Sequence, residues 1–259
     1  MDLGLRAKVA IVGGASMGIG YGIARTLAAE GASVAITARR DPGLAAAAAR
    51  IRAETGAEVL PILADCRRAE DCMRVVETTA AQLGGIDILV NNDGAPPLGD
   101  LAGFDDAAWA KAVEQNLMYV VRMTRAVVPH MQARRGGGVL NITAISAIQP
   151  IPGFGLSVAT CSGVIGFAKT LSLEVARDNI NVNTICPGYI ETQRLEKVFA
   201  AGGEDPAIVR RKLEAEVPMG RIGSVEDIAA IAALLVSPRG RYITGTAIQV
   251  DGGLLRGIR

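Results

Sequence analysis

Histidine is nearly absent: His130 is the only one in 259 residues. A zinc site with imidazole ligands and a Ser-His-Asp triad both need histidine set against specific partners, so both readings are disfavoured. The four cysteines, Cys66, Cys72, Cys161 and Cys186, show neither C-x-x-C nor Cys/His ligand spacing, and no metal is expected. Aromatic residues make up 3% of the chain and the net charge is only +1, with the basic residues scattered. ARR at 38–40 and ARRG at 133–136 are too short to form an electrostatic track for nucleic acid. No charged n-region with a cleavage site precedes an apolar stretch, and no apolar run reads as long enough to span a membrane. The expectation is a cytoplasmic, reducing location with no nucleic-acid or membrane partner.

What is abundant is small and aliphatic. Half of the residues are hydrophobic and 31 are glycine, a composition suited to helices packed closely on a parallel sheet. Short β-rich runs alternate with longer helical ones: KVAIV (8–12), a helix ending near Gly31, SVAITA (33–38), a second helix, AEVLPILAD, a third helix, IDILVNN, a long helical stretch from Asp105 to Arg135, GVLNIT (138–143), the helix from Gly155, and NINVNTIC (179–186). Continuous apolar strands separated by helices predict one doubly wound α/β domain over residues 1–259. One charged segment breaks the alternation. Residues 193–220, with Gly-Gly and Pro, follow a strand end, where substrate lids sit.

The first strand runs into GGASMGIG (13–20), with glycines at 14, 18 and 20 opening a helix. Such a turn lets the backbone approach a pyrophosphate whose charge the helix N-terminus favours. The spacing is G-x3-G-x-G rather than G-x-G-x-x-G, and a tight turn without a ligand is the alternative.

This turn is the first of several landmarks in order: Asp65 after the third strand, NNDG (91–94), Asn116 in QNL, LNITAIS (140–146), CPGYIET (186–192) and ITGTAIQVDGG (243–253). Together they resemble the short-chain dehydrogenase/reductase family, of 3-oxoacyl-acyl-carrier-protein reductase type, over nearly the whole chain. The resemblance implies a Rossmann-type fold with a seven-stranded parallel sheet between helical layers, and binding of NAD or NADP. It assigns Gly14, Ser16, Gly18, Ile19 and Gly20 to the pyrophosphate turn, and Asp65 and Cys66 to the adenine. Asn91 and Gly94 go to the ribose, and Pro187, Gly188, Ile190 and Thr192 to the nicotinamide border. In TARRD (37–41) Arg39, with Arg40 in reserve, stands where a guanidinium accommodates the extra phosphate of NADP. NADP(H) is therefore expected over NAD(H). Two departures touch the cofactor: Gly13 where the family has threonine, and Asp93 where it has alanine.

The larger departure lies at the head of the helix GLSVATCSGVIGFAKTLSLEVA (155–176). Val158, Cys161, Ile165, Ala168, Leu171 and Val175 recur at helical spacing and predict its buried face. The family starts this helix with a tyrosine and, four residues on, a lysine. By alignment those positions are Ser157 and Cys161, the family's catalytic serine falls on Ala144, and Asn116 alone of the four remains. Tyrosine donates the proton and lysine lowers its pKa; serine and a neutral thiol do neither. Three readings follow: a carbonyl reductase with a rebuilt site, a dinucleotide-binding regulatory subunit without turnover, or elimination, isomerisation or cyclisation on the same scaffold. For the first, Tyr189 is the candidate donor, Thr143 and Ser146 could orient a carbonyl, and Ser157 could hold a water. Cys161 is read foremost as a small packing residue. The substrate would be a small carbonyl compound, and the resemblance implies a homotetramer, with a dimer as the alternative.

Overall fold

The computed structural model describes residues 1–39, 41–92, 94, 96–196 and 205–257. Seven strands form one parallel sheet: β1 (Val9–Val12), β2 (Ser33–Ala38), β3 (Val59–Leu63), β4 (Ile88–Asn91), β5 (Gly137–Ile142), β6 (Ile180–Pro187) and β7 (Ala247–Val250). Their order is β3-β2-β1-β4-β5-β6-β7. Strands β1, β4 and β6 are buried at every position, because helices cover both faces. Pro61, which cannot donate to a ladder, lies in the edge strand β3.

Helices α1 (Gly18–Ala29), α2 (Asp41–Thr55) and α8 (Val225–Val236) cover one face. Their core joins Ile23, Leu27, Ile51 and Ile228 to Val12 and Val34. Helices α3 (Ala69–Leu83), α5 (Tyr119–Ala133) and α6 (Gly155–Val175) cover the other, with Val76, Met123, Val127 and Val164 against Ile11 and Val182. Sheet growth reverses between β1 and β4. Such a switch point leaves a crevice beyond the carboxyl ends of the strands, where ligands of this architecture bind.

Two helix contacts fix the layers. Helices α1 and α8 approach so closely that a Cβ on Gly22 would run into Val225 Cγ1, and Arg25 Nη2 bonds Glu226 Oε1 at 2.8 Å beside it. At the amino ends of the strands, opposite the crevice, the carboxylate of Asp87, 3% exposed, accepts from Lys8 Nζ at 2.9 Å and the Val9 N–H at 3.0 Å, and pairs with Arg134 Nε at 3.0 Å. Burial alone would push this carboxyl up. The bonds from Arg134, Val9 and Lys8 outweigh it and hold the carboxyl below its ordinary value.

Three expectations need correction. The buried face of α6 is Leu156, Ser157, Thr160, Cys161, Val164, Ala168, Ser172 and Val175, while Val158, Ile165 and Leu171 are half-buried. The helix is apolar nearly all round, so periodicity does not mark the side that faces β6. With the turn that follows it, Gly155–Asp178 is also long and apolar enough, by length and composition, to cross a membrane. Here it packs on β6 along one side and exposes Lys169, Leu173 and Glu174 on another. The predicted single helix from Asp105 to Arg135 is α4 (Asp106–Val113) and α5 joined by a π-turn over Glu114–Met118.

Candidate functional site

The turn between β1 and α1 is built around Asn92. Gly14 (φ 56°) and Gly18 (φ 59°) take left-handed conformations, which cost other residues about 1–2 kcal/mol. A Cβ on Gly14 would run into the carbonyl oxygen of Asn92, and one on Gly20 would stand 2.6 Å from Asn92 Nδ2 and 2.8 Å from the Gly13 oxygen. Asn92 Nδ2 in turn donates to the Gly13 carbonyl at 3.1 Å. At Gly13 itself a Cβ would lie 3.3 Å from the Asn92 nitrogen, so the turn closes without the side chain expected there. No side chain caps α1 at Met17 and its first turn holds no acidic residue. Its leading N–H groups therefore suit an anion. Ser16 is half-buried, 3.7 Å from where Gly43 would carry a Cβ, and Ile19 packs on the core. Gly14→Ala is expected to weaken by about tenfold the dinucleotide binding that the family resemblance implies, because relieving the left-handed strain and the clash with the Asn92 oxygen moves the turn. Titration calorimetry checks this, and unchanged affinity would show that the turn tolerates the methyl.

At the expected adenosine end, Arg39 is exposed at the end of β2, and its charge helps hold the Asp65 carboxyl low. The first cause of that lowering is Arg67, whose guanidinium grips both Asp65 oxygens, with Nε to Oδ1 at 2.8 Å. The Asp65 N–H donates to Asp71 Oδ2 at 2.8 Å. Cys66 is buried, and its carbonyl accepts the Cys72 thiol at 3.1 Å. Asn91 is buried: its amide is 1% exposed and donates to Asn141 Oδ1 at 2.9 Å and Thr124 Oγ1 at 3.2 Å. Its side chain thus ties β4 to β5 and α5, which leaves its backbone for a ribose. Arg40 and Asp93 lie outside the described residues, as do 197–204 of the expected lid.

Across the crevice β6 ends at Pro187. Gly188 donates to the Val250 carbonyl at 3.0 Å, and a Cβ there would be 2.8 Å from Asp251 Cβ. Ile190 is buried and bridges Gly223. Thr192 brings its methyl within 3.4 Å of the position a Gly18 Cβ would take. The expected nicotinamide border thus closes over the phosphate turn.

The expected reaction end brings together Asn116, Ser157 and Cys161, and adds Thr160. The π-turn places Asn116 with Nδ2 donating to Thr160 Oγ1 at 2.9 Å and 4.0 Å from Cys161 Sγ. Ser157 Oγ is 3.7 Å from the same sulfur. Burial pushes the Cys161 thiol up, and bonds with Ser157 and Thr160 and the charge of Arg194 offset this only in part. The thiol is neutral at ordinary pH and is not poised as a nucleophile. Thr143 is engaged elsewhere, with Oγ1 to the Ile185 carbonyl at 3.1 Å and 3.2 Å from Cys186 Sγ. Ser146 Oγ is buried without a partner among the described residues. Ala144, extended, precedes the short turn Ile145–Ala147.

Tyr189 does not join this group. Its hydroxyl donates to Glu216 Oε2 at 3.1 Å, at the end of α7 (Pro206–Glu216). Burial and the neighbouring carboxylate push it up to about 12, the wrong direction for a proton donor near neutrality. The tyrosine fastens α7 to the end of β6 instead, and Arg210 with Glu191 at 2.9 Å does the same. Sequence reasoning missed Asn92, Thr160 and Arg194. Asn92 was within reach, standing in the quoted NNDG.

The comparisons agree with this geometry. The family described as enoyl-(acyl carrier protein) reductase matches residues 14–255. The human dehydrogenase/reductase SDR family member 4 is 36% identical over 250 residues, 96% of this chain and 88% of that protein. A 3-oxoacyl-[acyl-carrier-protein] reductase of Chlamydia muridarum is 35% identical over 247 residues, 95% of this chain and 97% of its own. The crystal structure of L-sorbose reductase from Gluconobacter frateurii, complexed with NADPH and L-sorbose, superposes with a TM-score of 0.95 at 35% identity over the full length of both chains. With a seven-stranded sheet, a glycine turn at its switch point and relatives spanning nearly its whole length, the chain belongs to the short-chain dehydrogenase/reductase family.

Proposed function

We propose that the protein is an NADP(H)-dependent carbonyl reductase whose proton relay differs from the family pattern, with Ala144, Ser157 and Cys161 at the positions of the usual serine, tyrosine and lysine. The observation that carries this is the glycine cradle. Gly14 and Gly20 abut Asn92 with no room for a Cβ, leaving a backbone surface fitted to a pyrophosphate. Arg39, exposed at the end of β2, favours the 2′-phosphate, and a relative of 35% identity was solved with NADPH. Gly14, Gly18 and Gly20 would hold the diphosphate, Arg39 the 2′-phosphate, and Pro187, Gly188 and Thr192 the nicotinamide side. When bound, NADPH supplies a hydride.

The chain's own part is binding and orientation. Ser157 offers a hydroxyl at the head of α6, 3.7 Å from Cys161, where it can hold a carbonyl oxygen or a water. With Cys161 neutral and Tyr189 held by Glu216, the proton comes through such a hydroxyl or water. Orientation alone still lowers a barrier substantially. The segment after β6, tied to α7 through Glu191 and Arg210, serves as lid. We also propose a homotetramer, in which the half-buried Val158, Ile165 and Leu171 of α6 meet a second copy.

Calorimetric titration with NADPH and NADH tests the reading. NADPH is expected to bind in the micromolar range and NADH more weakly. Arg39→Ala is expected to weaken NADPH by about 10- to 100-fold, the worth of one or two charge-assisted bonds, while leaving NADH nearly unchanged. No binding of either dinucleotide would end it. One observation favours a second reading, a binding subunit without turnover: Asn116, Thr160, Ser157 and Cys161 spend their polar atoms largely on one another. Tight NADPH binding without reduction of any carbonyl in a broad panel would select it.

A further inference from the structure

Arginine 194 is the unexplained charge of the crevice. It follows Thr192, whose methyl overlies Gly18 of the phosphate turn. Its Nη1 points to the Gly94 carbonyl across a long 3.4 Å bond. Gly94 in turn backs on Asn116, where a Cβ would run into Oδ1. That Oδ1 is a buried acceptor with no partner among the described residues. The guanidinium also acts on the Cys161 thiol at the head of α6. Arg194 therefore reaches from the phosphate turn to the reaction end.

Its neighbours show what it lacks. Arg210 pairs with Glu191 and Glu214, and Arg221 pairs with Asp227. Among the described residues no carboxylate pairs with Arg194; its one hydrogen bond is to Gly94. Its side chain is exposed. A guanidinium in a cleft with no counter-ion among the described residues suits a ligand's anionic oxygens, and its fork matches phosphate.

We propose that Arg194 is a cofactor-binding residue that takes the phosphate and ribose oxygens of the nicotinamide half of NADP(H). From the segment after β6 it supplies the positive charge that α6, with Cys161, does not. This rests on the reading above that the crevice binds NADP(H). The assignment is to one half of the ligand. Arg39 lies at the adenosine end, beside Asp65, whereas Arg194 lies beside Asn116 and Cys161.

Two ligands separate the halves: NADPH, and adenosine 2′,5′-bisphosphate, which lacks the nicotinamide mononucleotide. Both are titrated calorimetrically into the unaltered protein, Arg194→Gln, Arg194→Lys and Arg39→Ala. Arg194→Gln is expected to weaken NADPH by about 10- to 100-fold and to bind the bisphosphate as before. Arg194→Lys is expected to recover part of the loss, keeping the charge without the fork. Arg39→Ala is expected to weaken both ligands. Unchanged NADPH affinity in Arg194→Gln overturns the proposal, and so does an equal loss for both ligands, which would mark a general effect. If the unaltered protein binds neither ligand, the NADP(H) reading falls and this assignment falls with it. If it binds both and Arg194→Gln matches it, only the assignment falls.

Discussion

On the reductase reading proposed above, placing the family's serine, tyrosine and lysine by Ala144→Ser, Ser157→Tyr and Cys161→Lys together is expected to raise the rate of carbonyl reduction by about 10²- to 10⁴-fold. That range is the worth of one positioned general acid, about 3–5 kcal/mol of barrier. The backbone that would carry it is in place: the π-turn sets Asn116 against the first turns of α6, 4.0 Å from Cys161 Sγ and bonded to Thr160. What is missing is acidity. Serine is far less acidic than tyrosine, and the Cys161 thiol is pushed up and stays neutral, so nothing on α6 replaces a lysine cation. The single substitutions should each do little, because a phenol without its cation and a cation without its phenol leave the proton badly matched. The measurement is kcat on a ketone panel that includes L-sorbose, at saturating NADPH. A triple variant that binds NADPH as before and is no faster would show that the site differs by more than its relay.

The second large effect is on stability. Asp87→Ala is expected to destabilise the fold by about 1–3 kcal/mol, because the Val9 N–H loses its acceptor and Lys8 and Arg134 lose their carboxylate at the amino ends of the central strands. For a domain of this size the melting temperature should fall by roughly 2–10 °C. The pH dependence has a definite sign. The folded state holds the Asp87 carboxyl below its ordinary value, so the stabilisation is complete above the unfolded value of about 3.9. It is lost as the pH falls through the lower folded value. Thermal melts over that acid range should show a steeper loss in the unaltered protein than in Asp87→Ala. Parallel curves would mean that the carboxylate contributes little.

Most of the architecture was legible because both of its signals are local. The continuous apolar runs at 8–12, 33–38 and 138–143 became β1, β2 and β5 within a residue or so, and the glycines of the first turn occupy the close approaches their spacing implied. What was not legible depends on relations distant in sequence. The π-turn at Asn116 interrupts a pattern that reads as one helix, since widening a single turn hardly changes the spacing of apolar residues. The buried side of α6 was misplaced because the helix is apolar nearly all round. Tyr189 looked free as a proton donor; its partner Glu216 lies 27 residues on. Arg194 belonged to an undifferentiated charged segment until folding set it beside Gly94 and Cys161.

The close contact of Gly22 with Val225 has a consequence for the order of assembly. The helix that presents the phosphate turn is clamped by one about two hundred residues further along, with Arg25 and Glu226 beside it. A nascent chain that has completed only its first four strands has the glycine turn but not its clamp. Contacts of such separation form late, after the long loop between them has closed. Locking of the glycine turn would therefore await the C-terminal third, and until then the face of α1 that meets α8 stays uncovered.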